Sequence, residues 1–181
     1  MWIGLCLTRW GFVNEALYSL CHLTLATDAK RAAIVFYKTP TFETRLTLVT
    51  ELIVATLPER KRKDGGHDHP LVSEREGIRN RLLDLSPVRN VLAHQHVSSY
   101  SNSLVSSGEE PPSDYYNWLE IGLAESEALR DRKPKVTSVK DTELPKHFHD
   151  LLEALRQLSV FQGKMVEELQ KLRARQPQQR S

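Results

Sequence analysis

Leu144, Phe148, Leu151, Leu155, Leu158, Gln162, Met165, Leu169 and Leu172 step by four and three residues in strict alternation, and Gln162 is the one polar member. That spacing returns a side chain to the same side of an α-helix at every step, so the segment must lie along another helix. A start signal precedes it. Asp141 or Thr142 can cap the first backbone N–H groups, and Pro145 falls in the first turn, where its missing N–H costs nothing. Residues 141–176 therefore read as one long heptad helix, belonging to the same domain or to a dimer interface, with residues 177–181 as a tail.

The same period recurs upstream. Trp10, Val13, Leu17, Leu20 and Leu25 mark a helix from Trp2 to about Thr27, a stretch without proline. Asp28 can cap a second helix that runs to about Tyr37, because its carboxylate accepts N–H groups of the first turn. Thr39-Pro40 reads as the start of a third helix, with Thr39 as cap, Pro40 as first residue and a stripe of Phe42, Leu46, Val49, Ile53 and Leu57. Pro58 closes it. A polar loop to Pro70 leads into a fourth helical pattern carrying Leu71, Ile78, Leu82 and Leu85, which Ser86-Pro87 breaks or restarts before helix continues to about Gln95.

Seven of the 17 residues from 98 to 114 are serine, Pro111 and Pro112 are adjacent, and no basic residue occurs there. That composition marks an insertion rather than a helix. Tyr115 to Ile121 and Lys135 to Lys140 have the character of two short hairpin strands. The expected organisation is a helical core over residues 1–97, a serine-rich insertion with a hairpin over 98–140, and the heptad helix. The fold class is mainly α: an antiparallel helical bundle with a small irregular or β insertion and a long C-terminal helix.

With 181 residues the chain can bury roughly 70% of its surface without staples. Its 40% apolar and 27% charged residues describe an ordinary globular protein. Cys6 and Cys21 lie in apolar helical sequence and read as buried thiols of a reducing compartment, with no disulfide and no zinc ribbon. Residues 1–7 are apolar but too short to span a membrane and lack the basic flank of a signal peptide, so the expected location is cytoplasmic. A net charge of +2 excludes tight, indiscriminate nucleic-acid binding, and any such function must rest on local clusters.

The segment that carries chemistry is Leu85-Ser86-Pro87-Val88-Arg89-Asn90-Val91-Leu92-Ala93-His94. Five helical steps put Arg89 and His94 about 7.5 Å apart along the axis and about 140° around it, so the two do not converge on one point within a chain. Asn90 and His94, four apart, share a face. Such residues suit phosphoryl chemistry. Histidine passes a proton near neutral pH, and a guanidinium matches phosphate geometry while holding its charge. The bland alternative is a surface ion pair for Arg89 and a helix-end cap for His94. The earlier Arg79-Asn80 repeats the dipeptide, with Asp84 where His94 would fall.

At these residues the chain resembles the HEPN superfamily, whose signature is an arginine, a polar residue and, a few positions on, a histidine at the end of a late helix. The four preceding or containing helices, and the run around Asp28, Phe36, Tyr37, Phe42 and Arg45, extend the resemblance over about residues 9–97. It implies a homodimer whose two motifs meet in one composite site, and a metal-independent endoribonuclease without cofactor, of toxin or phage-defence type, with an antitoxin or other regulator as possible partner. By that resemblance His94 is general acid/base, Arg89 stabilises charge on the phosphoryl oxygens, and Asn90 positions groups or binds phosphate. A toxin branch has tyrosine two residues after the histidine, the target of modification by its antitoxin. Here that residue is His96. Two rivals stand beside this reading: a non-catalytic HEPN-type module for dimerisation, nucleotide sensing or partner binding, and a helical adaptor docking through its heptad.

Arg60, Lys61, Arg62 and Lys63 can hold an RNA backbone with His96, or form a solvated loop beside Glu59 and Asp64. Tyr115, Tyr116 and Trp118 can stack on bases or bury. His94/His96 and His147/His149 are poor chelators on a helix, where residues two apart point about 200° from each other, and the loop pair His67/His69 with Asp68 lacks an identifiable third ligand, so no metal is expected.

Overall fold

The computed structural model describes residues 1–58, 69–93, 96–97, 120–122 and 138–175. The chain is mainly α. Its elements are α1 (Trp2–Leu25), α2 (Ala29–Lys38), α3 (Phe42–Thr56), α4 (Pro70–Ala93), strands β1 (His96–Val97), β2 (Glu120–Gly122) and β3 (Ser138–Lys140), a 3-10 turn (Asp141–Glu143) and α5 (Leu144–Arg175). They divide into two compact units, one of Met1–Trp10 with Asp84–Leu151, the other of Gly11–Leu83 with Leu152–Ser181. The serine-rich residues 98–114, the loop 59–68 and the tail 177–181 lie outside the described residues.

In the larger unit the apolar stripes close on one another. Leu17 and Leu20 of α1, Leu46, Val49 and Ile53 of α3, Ile78 of α4, and Leu158 and Phe161 of α5 line one interior. Each fully buried side chain of this size contributes roughly 1.5–3 kcal/mol, which makes this interior the main source of the unit's stability. Polar bonds pin the helices in register. Arg75 donates to the Thr50 carbonyl at 3.1 Å, and Lys164 pairs with Glu74 at 2.7 Å. Asp28 caps α2 as expected, its carboxylate accepting from the Arg31 N–H at 2.9 Å. The cap of α3 is Thr41 rather than Thr39. Thr41 and Thr44 exchange side-chain to backbone bonds in a capping box, which satisfies two orphan N–H groups at once. Thr39 instead ends α2, its hydroxyl donating to the Val35 carbonyl.

In the other unit Cys6 and Trp10 of α1, Leu85, Val91 and Leu92 of α4, Val139 of β3, and Leu144 and Leu151 of α5 are buried. The Cys6 thiol lies 3.9 Å from the Leu144 carbonyl, and Trp2 meets the Phe148 ring edge-on at 5.5 Å. The three strands form an antiparallel sheet in the order β1-β2-β3, with Glu120 opposite Lys140 and His96 opposite Gly122. The expected hairpin strands therefore pair where they are described, and β1, just beyond the expected helix end near Gln95, joins them.

Three further expectations are corrected. Pro87 sits inside α4, which runs unbroken from Pro70 to Ala93. A proline in a helix interior costs about 3 kcal/mol. Buried Leu82 and Leu85 before it, and Val91 and Leu92 after it, outweigh that penalty by holding both halves in one packed helix. In α5 the buried set is Leu144, His147, Leu151, Ala154, Leu158, Phe161, Met165 and Leu169. The expected positions Phe148, Leu155, Gln162 and Leu172 are only half-buried, because Phe161 fills the core where Gln162 would have brought an amide. The helix starts at Leu144 after the 3-10 turn rather than at a cap on Asp141 or Thr142. Glu143 reaches back to accept the Lys140 N–H at 3.1 Å.

Candidate functional site

The last turns of α4 position the central pair. Leu85 and Leu92, one turn to either side of Arg89, are buried, and Arg89 between them is half-buried, with its Nε enclosed. Asn90, the next residue, turns outward and is exposed. The Arg89 Nη1 donates to the Asn90 Oδ1 at 3.0 Å. That contact fixes the amide with its oxygen on the guanidinium, leaving the Asn90 NH2 group as a donor facing outward. Donor groups of this kind, one of them permanently charged, suit an oxyanion or a phosphate.

The structure brings Arg89 and Asn90 together. His94 lies outside the described residues, as do Arg60, Lys61, Arg62 and Lys63, and Tyr115, Tyr116 and Trp118. His96 is described by its backbone alone, in β1 opposite Gly122.

No family model matches the chain, and no curated protein and no solved structure matches it.

The remaining histidines and thiols have structural positions. His69 is buried at the start of α4, where its Nδ1 accepts the Leu71 N–H at 3.2 Å and its Nε2 faces Glu168 at 3.7 Å. It therefore caps the start of α4. His147 is buried and His149 is exposed, as two residues on opposite helix faces must be. Burial pushes the His147 imidazole below its usual range, partly opposed by Asp150. Among the described residues no three His, Cys, Asp or Glu side chains gather as metal ligands. Cys6 and Cys21 are free and buried, and burial raises both thiols, which keeps them protonated and poor nucleophiles. Among the described residues no helix is long and apolar enough to cross a membrane.

Sequence patterns single out neither of two other features of the larger unit. A cleft of about 500 Å³ is lined by Ser19, His22, Thr27, Gln162 and Arg173, among others. An aromatic cluster joins Tyr18, Phe36 and Tyr37, with Arg45 over two of the rings. The available signal for the second was the composition of α2, AKRAAIVFYK, which has three basic residues and no acidic one.

Proposed function

We propose that the chain is a metal-independent endoribonuclease of HEPN type, acting in the cytoplasm as a homodimer in a toxin or defence role. The observation that carries the reading is the Arg89–Asn90 pair, an arginine held by its neighbour's amide on the last turns of a helix in a mainly α chain. The HEPN resemblance of the sequence around it supplies His94 as the proton carrier and a second copy of the chain as the other half of the site. In the reaction His94 removes the ribose 2′-OH proton, and the 2′ oxygen bonds to the adjacent phosphorus. The bond from phosphorus to the 5′ oxygen then breaks, and that oxygen takes a proton from the second histidine. Arg89 neutralises the charge that grows on the non-bridging oxygens, and Asn90 donates to the phosphate.

The test is cleavage of mixed RNA in the presence of a chelator by the wild type, Arg89→Ala and His94→Ala. Wild type should leave 2′,3′-cyclic phosphate and 5′-hydroxyl ends, and each variant should lose at least about a hundredfold in rate. Retained activity in His94→Ala overturns the mechanism. No cleavage by the wild type on any RNA favours the non-catalytic HEPN-type module.

A further inference from the structure

We infer that the outward face of α2, with Phe12 of α1 beside it, is a docking surface for an acidic amphipathic segment of a partner protein. The proposal is independent of the ribonuclease reading. The inward residues Ala32 and Phe36 are fully buried and hold α2 on the unit's core. Its outward residues are Lys30, Arg31, Ile34, Val35, Tyr37 and Lys38, all exposed. A surface helix ordinarily turns polar residues to water. Here Ile34, Val35 and Tyr37, with Phe12, expose between 42% and 49% of their surface. The Tyr37 hydroxyl donates to Glu15 at 3.1 Å, and Glu15 is one turn from Phe12, so the four apolar residues belong to one region.

The region is set before any partner arrives. The Tyr37 ring stacks on Tyr18 at 5.6 Å, meets Phe36 edge-on at 5.1 Å and lies under the Arg45 guanidinium at 5.9 Å. Arg45 is itself anchored by its Nε bond to the Thr39 carbonyl at 2.8 Å. A half-exposed aromatic that is already immobilised loses little entropy on binding, which is what a protein contact needs from an anchor.

Charge selects the partner. No carboxylate lies within α2; the Asp28 that caps it pairs with Arg31 at 3.2 Å, and Lys30 and Lys38 stand at the two ends, about 12 Å apart along the axis. A segment with apolar side chains at its centre and carboxylates toward both ends complements that order. RNA fits worse, because Tyr18 already stacks on the Tyr37 ring and the Ile34 and Val35 side chains neither stack nor hydrogen-bond. An anionic bilayer fits worse too. It presents uniform negative charge to the Glu15 carboxylate inside the patch, whereas a protein can place a neutral or donor group there.

The test uses the full chain as bait against a displayed library of random peptides, with the binders then synthesised and their affinities measured. Enriched sequences should carry Asp or Glu flanking large apolar residues and should bind more weakly as salt rises. The double variant Ile34→Asp, Val35→Asp should weaken them at least about tenfold, and so should Lys30→Glu with Lys38→Glu. Val160→Asp, an exposed apolar position of α5, should leave them unchanged. Circular dichroism melting checks that each variant folds. Enrichment of basic or uncharged sequences, binding insensitive to the α2 variants, or no enrichment at all overturns the proposal. So does retention of the wild type on vesicles of phosphatidylcholine and phosphatidylserine that both α2 double variants abolish.

Discussion

α4 carries the same dipeptide twice, and the two copies differ in what surrounds them. Arg79 donates to the Asn80 amide oxygen at 3.4 Å and Arg89 to the Asn90 oxygen at 3.0 Å, so the local contact is shared. Three residues before Arg79 stands Glu76, whose carboxylate lies 3.5 Å from the guanidinium. Three residues before Arg89 stands Ser86, a neutral hydroxyl. Five residues after Arg79 comes Asp84, and five after Arg89 comes His94. A guanidinium beside a carboxylate has part of its charge spent on a structural pair, and the Glu76 that supplies this for Arg79 has no counterpart three residues before Arg89. The dipeptide by itself therefore has no meaning, and its flanks decide.

The largest effect expected from this contrast is on RNA cleavage. Arg89→Lys should lower the rate about a hundredfold, because an ammonium cannot make the paired bonds of the guanidinium. Arg79→Lys should leave the rate within about twofold, since a surface ion pair tolerates either cation. Equal losses in the two variants break the comparison.

A smaller effect follows from making the second site resemble the first. Ser86→Glu places a carboxylate three residues before Arg89, as Glu76 stands before Arg79. Cleavage should fall about tenfold while the melting temperature stays nearly constant, because a partly exposed pair is worth about 0–1 kcal/mol. Unchanged cleavage shows that a carboxylate three residues before Arg89 does not bear on the reaction.

The smallest effect distinguishes the two units that hold the two pairs. His147 lies in the unit of Arg89, and burial lowers its proton affinity below the ordinary value of about 6.5. The unfolded chain then binds a proton that the folded unit refuses. Stability from this residue is full above about pH 6.5 and falls as the pH drops from there toward the lower folded value. Amide exchange in the unit of Arg89 should therefore accelerate below about pH 6.5 ahead of that around Arg79. In His147→Leu the difference should vanish.

Much of the helical framework was legible because it rests on short-range rules. Asp28 caps its helix whatever lies beyond it, and Leu71, Ile78, Leu82 and Leu85 are all buried as their spacing demands. The site was legible only as a pattern. Spacing nominated Arg89, Asn90 and His94, yet could not tell that the asparagine amide would take up the guanidinium. The α2 surface escaped notice because its outward apolar residues look like core until neighbouring helices leave them uncovered.

Where the helices run, and roughly which side of each is apolar, follows from a 3.6-residue period and local caps. Tertiary structure decided which edge of a broad apolar side faces inward. In α5, positions 147 and 148, 154 and 155, and 161 and 162 each differ by about 100° of rotation. Burying Phe161 rather than Gln162 turns the first member of each pair into the core. It also decided the fate of Pro87. The proline's penalty is local, while the burial of Leu82, Leu85, Val91 and Leu92 that outweighs it comes from other segments of the chain.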